Sequence, residues 1–326
     1  MTLPIALDAM GGDLAPGEII AGARRAFDEL GLGVTLVGVP ELMGDPLGLE
    51  VVACTEVITM DDDPASSVRR KKDSSLVRCA ELVRDGQARA MVSAGNTGAT
   101  MASALLRMGR LPGVLRPCIA TPIPNPGRNP TVLVDAGANS ECSPEMLVQF
   151  AQMAAGFAEV HFGVARPKVG LLSIGEESSK GTPLVKQTHQ LLSEVSGFDF
   201  VGNVEGRDLI PSIVDVIVTD GFTGNVALKT LEGALKFVFS TMLDVIATND
   251  ETKAAGKVLF EYLMPVVESL TPEAHGGAML LGLDGICVIS HGSSTQTAIK
   301  NALRVAGEMV DHGVVEKLRT VIRPDQ

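Results

Sequence analysis

Cysteine is scarce in this 326-residue chain and poorly spaced for structural chemistry. The five residues (Cys54, Cys79, Cys118, Cys142, Cys287) are scattered, odd in number and never in a C-x-x-C pair. That excludes a disulfide framework and a cysteine zinc site, and suits a reducing cytoplasm. No uninterrupted apolar run is long enough to span a bilayer. The opening MTLPIALDAMGGD lacks the basic start and cleavage site of a signal peptide, so a cytoplasmic chain is expected. Positive charge is short as well: 27 Lys and Arg face 39 Asp and Glu, for a net charge of −12. A general nucleic-acid binder normally carries the opposite balance.

The common catalytic signatures are missing too. GEESSKGT has Lys180 before Gly181, where a P-loop requires Gly then Lys. No G-x-G-x-x-G follows a strand, no serine lies in G-x-S-x-G, and no histidine has an aspartate five positions on. No His, Cys or carboxylate cluster has the spacing of a zinc site.

What remains is rich in strands and glycine. Hydrophobic residues make up 45% of the chain and mean hydropathy is +0.25, ample for a large core. Short apolar runs at Pro4–Asp8, Val34–Gly38, Val51–Ala53, Ala90–Ser93, Val132–Asp135, Val169–Ile174, Asp215–Thr219 and Gly285–Ser290 alternate with helical stretches. Several of these strands read as apolar throughout, and helices separate them, which predicts a mostly parallel sheet covered on both sides, a three-layer α/β/α arrangement. No low-complexity linker divides it, so residues 1–326 are read as one catalytic α/β domain. The proline-rich stretch Arg116–Pro130 is read as a long ordered loop.

Residues 231–272 differ from the rest. They read as a helical hairpin turning near Asn249 and Asp250, and hold Phe237, Phe239, Phe260 and Tyr262 of only eleven aromatics. Helices apolar on more than one face must bury more than one face, which predicts a dimer or core contact, with membrane contact at the tip as the sharper reading.

Open parallel sheets bind ligands at the carboxyl ends of their strands. Here those ends carry LDAMGGDLAP, SAGNTGA, VDAGANSECSPE, SIGEESSKGTP, TDGFTGN and ISHGSSTQT. Glycine permits a tight turn, the free N–H groups of the following helix attract an anion, and Ser or Thr adds a hydroxyl. For one such loop a plain turn with an N-cap suffices. Six of them, with Asn96, Lys180, Asp220, Asn225 and His291 among them, point to an anion site. Gly-x-Thr-Gly occurs twice, at Gly95–Gly98 and Gly221–Gly224. The dense basic cluster Arg69–Lys72 is either a solvated face or a patch for an anionic substrate or partner.

Together DAMGGDLAPGEII, RRKKDSSL, VSAGNTGA, ATPIPNPGRNPTVLVDAGAN, GEESSKGT, GNVEGRD, VTDGFTGNVALKTLEG and ISHGSS closely resemble the PlsX family of bacterial acyl-ACP:phosphate acyltransferases. The resemblance runs from Ile5 to about Arg304. It implies an isocitrate/isopropylmalate-dehydrogenase-like fold with a protruding hairpin, and a homodimer without cofactor or metal. It implies transfer of a long-chain acyl group from acyl carrier protein to inorganic phosphate for phospholipid synthesis. Peripheral association with the inner face of the membrane is implied as well, with a downstream acyl-phosphate:glycerol-3-phosphate acyltransferase as consumer. Relatives carry His where this chain has Leu14, and often an acidic residue where it has Thr295, so neither position is given essential chemistry.

The expected catalytic set is Lys180, Lys229, Asn225, Asp220 and His291. Lys229 lies one turn after Asn225 and is expected to face the same end of the sheet. Asp220 or His291 would manage a proton, against plain readings as a helix cap and a core histidine. Substrate contacts are expected from Gly11, Gly12, Asp13, Lys71, Lys72, Asn96, Thr97, Gly98, Thr223, Gly224 and Ser293, with Arg69–Lys72 receiving either phosphate or the acidic carrier. The rival reading is a phosphotransacetylase acting on short-chain acyl-CoA. A same-fold dehydrogenase would need acidic metal ligands that are not seen, and a membrane scaffold would leave the strand ends unexplained.

Overall fold

A computed structural model describes residues 2–125, 127–270 and 276–322. Among them, eleven strands form one sheet: β1 (Ile5–Asp8), β2 (Val34–Gly38), β3 (Glu50–Ala53), β4 (Ala90–Ser93), β5 (Cys118–Ile123), β6 (Thr131–Val134), β7 (Lys168–Ser173), β8 (Asp199–Glu205), β9 (Val216–Val218), β10 (Ala278–Leu281) and β11 (Ile286–Ile289). Their order is β3-β2-β1-β4-β11-β10-β5-β6-β9-β7-β8. Most strands are buried along their whole length, as strands covered on both faces must be.

The helices are α1 (Gly17–Leu30), α2 (Pro40–Met43), α3 (Pro64–Arg70), α4 (Ser75–Arg84), α5 (Thr97–Arg107), α6 (Pro144–Phe162), α7 (Pro183–Leu192), α8 (Gly221–Ile246), α9 (Asp250–Leu270), α10 (Gln296–Asp311) and α11 (Val314–Val321). One apolar layer gathers α1, α6, α10 and α11 around Phe150, Phe157, Ile299 and Leu303. The opposite layer gathers α4 and α5 around Leu76, Met91 and Ala104, and the inner side of α8 meets Leu133, Val204 and Ile217.

The sheet is mostly parallel, as expected, but its two halves run in opposite senses. The pairings β11–β10, β10–β5 and β5–β6 are antiparallel. They separate a parallel set β3, β2, β1, β4, β11 from a parallel set β6, β9, β7, β8. The expected loop Arg116–Pro130 is corrected: it contains β5, hidden by its proline. β10 pairs only with Cys118–Ala120, so Pro122 has a strand on one side alone, where a missing N–H is tolerated.

The hairpin boundary is also corrected. Its first helix starts at Gly221 instead of residue 231, so one 26-residue helix runs from the second Gly-x-Thr-Gly to the hairpin tip. Residues 271 and 272 of the expected hairpin lie outside the described residues, as does Pro126 of the proline-rich stretch. Within α8 only Gly221 and Gly224 are buried. Phe237 and Tyr262 stand 70% and 74% exposed, with Val238, Val245, Val258 and Leu259 also largely uncovered.

Candidate active site

Two groups of turns collect the expected residues. The first lies at the adjacent carboxyl ends of β1, β4 and β11. Asp8 is fully buried there, accepting from the Ser93 hydroxyl at 2.7 Å and the Met10 N–H at 3.2 Å. Burial raises its pKa, opposed by hydrogen bonds from Ser75, Ser93 and the Met10 and Gly11 amides. A Cβ on Gly11 would stand 2.4 Å from the Asp8 Oδ2 and 2.7 Å from the Gly95 nitrogen, so only glycine lets the two turns meet. The Asp13 N–H donates to the Gly292 carbonyl at 2.7 Å, stitching the first turn to His-Gly-Ser-Ser.

Asn96 is fully engaged. Its Oδ1 accepts the Ala99 N–H and so caps α5, while its Nδ2 donates to the Met60 and Asp62 carbonyls. Lys71 binds the same segment, donating to the Asp62 carboxylate at 2.6 Å and the Val57 carbonyl at 2.8 Å. That hydrogen bond from Lys71 is the main reason the Asp62 pKa falls to about 2. Gly11, Gly12, Asp13, Lys71, Asn96, Thr97, Gly98, His291 and Ser293 therefore share one neighbourhood. Thr97 and Lys72 are exposed. His291 is exposed too, with its Nδ1 2.9 Å from the Ser293 Oγ, which corrects the reading of a core histidine.

The second group lies at the carboxyl ends of β6, β9 and β7. The Asp135 Oδ1 accepts N–H bonds from Ile119, Gly137 and Ala138, and its Oδ2 accepts from the Asn139 N–H and Nδ2. Burial raises this carboxyl as well, opposed by those hydrogen bonds. The α8 amino end docks on this turn: the Gly221 N–H donates to the Asn139 carbonyl at 2.8 Å. A Cβ on Gly221 would fall 2.6 Å from that carbonyl oxygen, and one on Gly224 would fall 2.0 Å from the Asp135 carbonyl oxygen.

Asp220 is the α8 N-cap, accepting the Thr223 N–H and hydroxyl at 2.8 Å each. The exposed Asn225 borders Gly137. Lys229 does not turn to Asn225; its Nζ pairs with Glu232 at 2.9 Å on the helix surface. Lys180 is exposed on the turn after β7, which the Asn203 amide ties to β8 through the Glu177 carbonyl.

The two Gly-x-Thr-Gly turns match in letters but not in helix phase. α5 begins at the threonine, capped by Asn96, whereas α8 begins at the first glycine, capped by Asp220. Gly98 makes room for Pro64 of α3, while Gly221 and Gly224 make room for the β6 turn. The hydrogen bonds given above run within each group and not between them.

Sequence reasoning quoted the β6 turn without giving Asp135 and Asn139 their organising role. An Asp and an Asn bracketing Ala-Gly-Ala directly after a strand was the available signal. It also missed two bulky apolar side chains beside the second group: Ile174, after β7, is 80% exposed and Phe222, at the start of α8, is 67% exposed.

The thiols are poor nucleophiles. Burial pushes Cys54 and Cys142 up to about 11 and Cys287 to about 12, and lifts Cys79 and Cys118 well above the ordinary value. Among the described residues no three His, Cys, Asp or Glu side chains gather as a metal ion would require. A cavity of about 580 Å³ lies beside the Lys180 turn, lined by Ser178, Ser179, Lys186 and His189. Another of about 420 Å³ lies inside the hairpin, lined by Leu243, Ile246, Lys257 and Phe260.

The family model described as fatty acid synthesis protein matches residues 3–317. A protein named phosphate acyltransferase from Elusimicrobium minutum is 48% identical over 97% of this chain and 94% of its own. One of the same name from Leptospira biflexa is 46% identical over 97% and 95%. Among solved structures, a branched-chain phosphotransacylase from Enterococcus faecalis superposes with a TM-score of 0.64 at 16% identity, covering 94% of this chain and 99% of its own. A 4-hydroxythreonine-4-phosphate dehydrogenase from Klebsiella pneumoniae gives 0.54 at 12% identity, covering 95% and 100%. At such identities these two speak to the fold alone.

Proposed function

Because this chain belongs to the fatty acid synthesis protein family, whose similar members are named phosphate acyltransferases, we propose that it transfers a long-chain acyl group from acyl carrier protein to inorganic phosphate. The chain is an acyltransferase. The finer reading is a direct displacement. A phosphate oxygen attacks the thioester carbonyl carbon, the C–O bond forms, the C–S bond breaks, and the pantetheine thiolate leaves and takes up a proton. A thiol of pKa about 8.5 is a tolerable leaving group, so positioning and oxyanion stabilisation are the main demands on the protein.

One observation carries this reading. The amino end of α8, Asn225 and the Lys180 turn share the carboxyl ends of neighbouring strands of one sense, while every cysteine is held as a thiol. That set suits an anion held by lysine and an amide side chain at the positive end of α8, without an acyl-cysteine. We assign phosphate to this group, with Lys180 and Asn225 as donors and Lys229 exchanging Glu232 for the anion, while Thr223 and Gly224, whose own donors are committed to Asp220, shape the turn. Asp220 keeps the cap in place and is assigned the proton.

The other group, with Gly11, Gly12, Asp13, Lys71, Asn96, Thr97, Gly98, His291 and Ser293, is assigned to the incoming thioester and its pantetheine arm. Although β4 and β9 run in opposite senses, sheet twist of roughly 20–25° per strand turns one against the other by about 100–125° over the five steps between them. The assignment requires the two groups to face one shared cleft.

Ile174, Phe222 and the uncovered hairpin favour a long acyl donor over the short-chain acyl-CoA of the rival reading. Homodimerisation along the hairpin and contact of its tip with the inner face of the membrane belong to the same proposal. Among the described residues no helix is long and apolar enough to cross a bilayer. The test is to incubate the protein with phosphate and either palmitoyl carrier protein or acetyl-CoA, then trap acyl phosphate with hydroxylamine. Palmitoyl hydroxamate from the carrier donor supports the assignment; acetyl hydroxamate alone replaces it with the rival.

A further inference from the structure

We propose that the exposed cations at the carboxyl end of α3, Arg69, Arg70 and Lys72, are the docking surface for the acidic carrier protein that delivers the thioester. The proposal rests on the acyltransferase reading above and adds the place where the donor binds.

The four basic residues of this run have separate fates. Lys71 is committed inward, to the Asp62 carboxylate and the Val57 carbonyl, where it holds the segment that also receives both donor hydrogens of Asn96. Its neighbours Arg69, Arg70 and Lys72 are exposed. None of them forms an ion pair among the described residues; Arg70 makes a 3.5 Å contact with the Ser66 hydroxyl and a longer-range electrostatic interaction with the Asp63 carboxylate. Nearby cations behave otherwise: on α4, Arg78 pairs with Asp73 and Glu81, and Arg84 with Asp85 and Glu81. In a chain with net charge −12, carboxylates are abundant, so three neighbouring cations outside any ion pair are available to an outside partner. Such a patch attracts an acidic protein and speeds its encounter.

The place fits the task. Pro64 at the start of α3 packs against Gly98 of the α5 turn, so the patch is one short helix away from the turns assigned to the thioester arm. A carrier seated there would present its prosthetic group from the outside while Lys71 keeps the rim in shape. An anionic membrane is the less suited occupant. A surface-lying helix needs bulky apolar side chains beside its cations, and α3 offers only Ala65, Ser66, Ser67 and Val68, of which the last two are buried.

The experiment compares the wild type with the Arg69→Glu/Arg70→Glu double variant in three readings. These are binding of fluorescently labelled holo carrier protein at low and high salt, acyl-phosphate formation from an uncharged acyl-N-acetylcysteamine thioester, and flotation with anionic vesicles. We expect carrier binding to weaken by about tenfold or more in the variant and, in the wild type, with rising salt. Turnover of the uncharged thioester and flotation should be unchanged. Equal carrier binding by both proteins overturns the proposal, as does no carrier binding by the wild type. A parallel fall in uncharged-thioester turnover would assign the patch to phosphate, and loss of flotation alone would assign it to the membrane; either overturns it. A wild type that binds carrier but forms no acyl phosphate from any donor contradicts the acyltransfer reading and leaves the docking result standing.

Discussion

The Ser93 hydroxyl, at the end of β4, donates to the Asp8 carboxyl, at the end of β1, across 2.7 Å in a fully buried setting. This bond locks two of the three turns of the first group, and Gly11 gives the space for it. Asp8→Asn keeps the shape but turns an amide donor toward the Met10 and Gly11 N–H groups, and should cost about 1–3 kcal/mol in urea unfolding. The pH dependence has a definite sign. Burial holds the folded pKa of Asp8 above its unfolded value of 3.8, so its contribution is complete below that value and is lost as pH rises through the folded pKa. The variant should lack that decline; an unchanged pH profile would show that Asp8 is not the group responsible.

Two glycines of α8 should respond in opposite directions. Gly224→Ala drives a Cβ into the Asp135 carbonyl oxygen, whereas nothing lies within 4 Å of a Cβ at Gly233. Gly233→Ala should stabilise by about 0.5–1 kcal/mol through helix propensity. Gly224→Ala should destabilise by roughly 2 kcal/mol or more, because backbone must move. Thermal melts of both variants check the pair, and equal effects would show that the α8 amino end does not press on the β6 turn.

His161 is a buried group in the last turn of α6. Its side chain is only 6% exposed, among Phe157, Phe162 and His312, and desolvation lowers its pKa from 6.5 to about 4. A depressed value means that stability is full above pH 6.5 and falls as pH drops toward 4, by on the order of 3 kcal/mol. His161→Phe should flatten unfolding free energy over that window. A variant that keeps the wild-type slope would place the acid sensitivity elsewhere.

Much of this layout was legible in the residues, and what was not has physical causes. Val34–Gly38 and Ala90–Ser93 were readable to the residue, because parallel strands buried on both faces read as near-continuous apolar runs, broken here only by Thr35 and Ser93. β5 was not, since Pro122 disguises a strand whose neighbour ends early. The reversal of strand sense was also hidden: no local pattern distinguishes a parallel from an antiparallel partner when both faces are buried. The paired Gly-x-Thr-Gly turns looked like one device used twice, yet their helices begin two positions apart in the motif. Side-chain commitments such as Lys229 with Glu232 lie beyond a sequence pattern, which shows spacing but not which neighbour wins.

Lys229 and Lys180 separate surface pairing from anion holding. The Lys229–Glu232 pair is half exposed, so Lys229→Ala should fold normally, with at most about 1 kcal/mol of stability lost. If Lys229 serves phosphate, the same change should slow transfer by about a hundredfold, on the order of 3 kcal/mol. Lys180→Ala should act alike, with saturation by phosphate weakened. Near-normal phosphate kinetics in either variant would remove that lysine from the proposed site.

The most direct measurement is rapid-mixing detection of free thiol from acyl carrier protein, with and without phosphate. Direct attack by phosphate requires that thiol appear only when phosphate is present, one per acyl phosphate formed. A burst of one thiol per protein in phosphate-free buffer would reveal an acyl-enzyme and contradict the account.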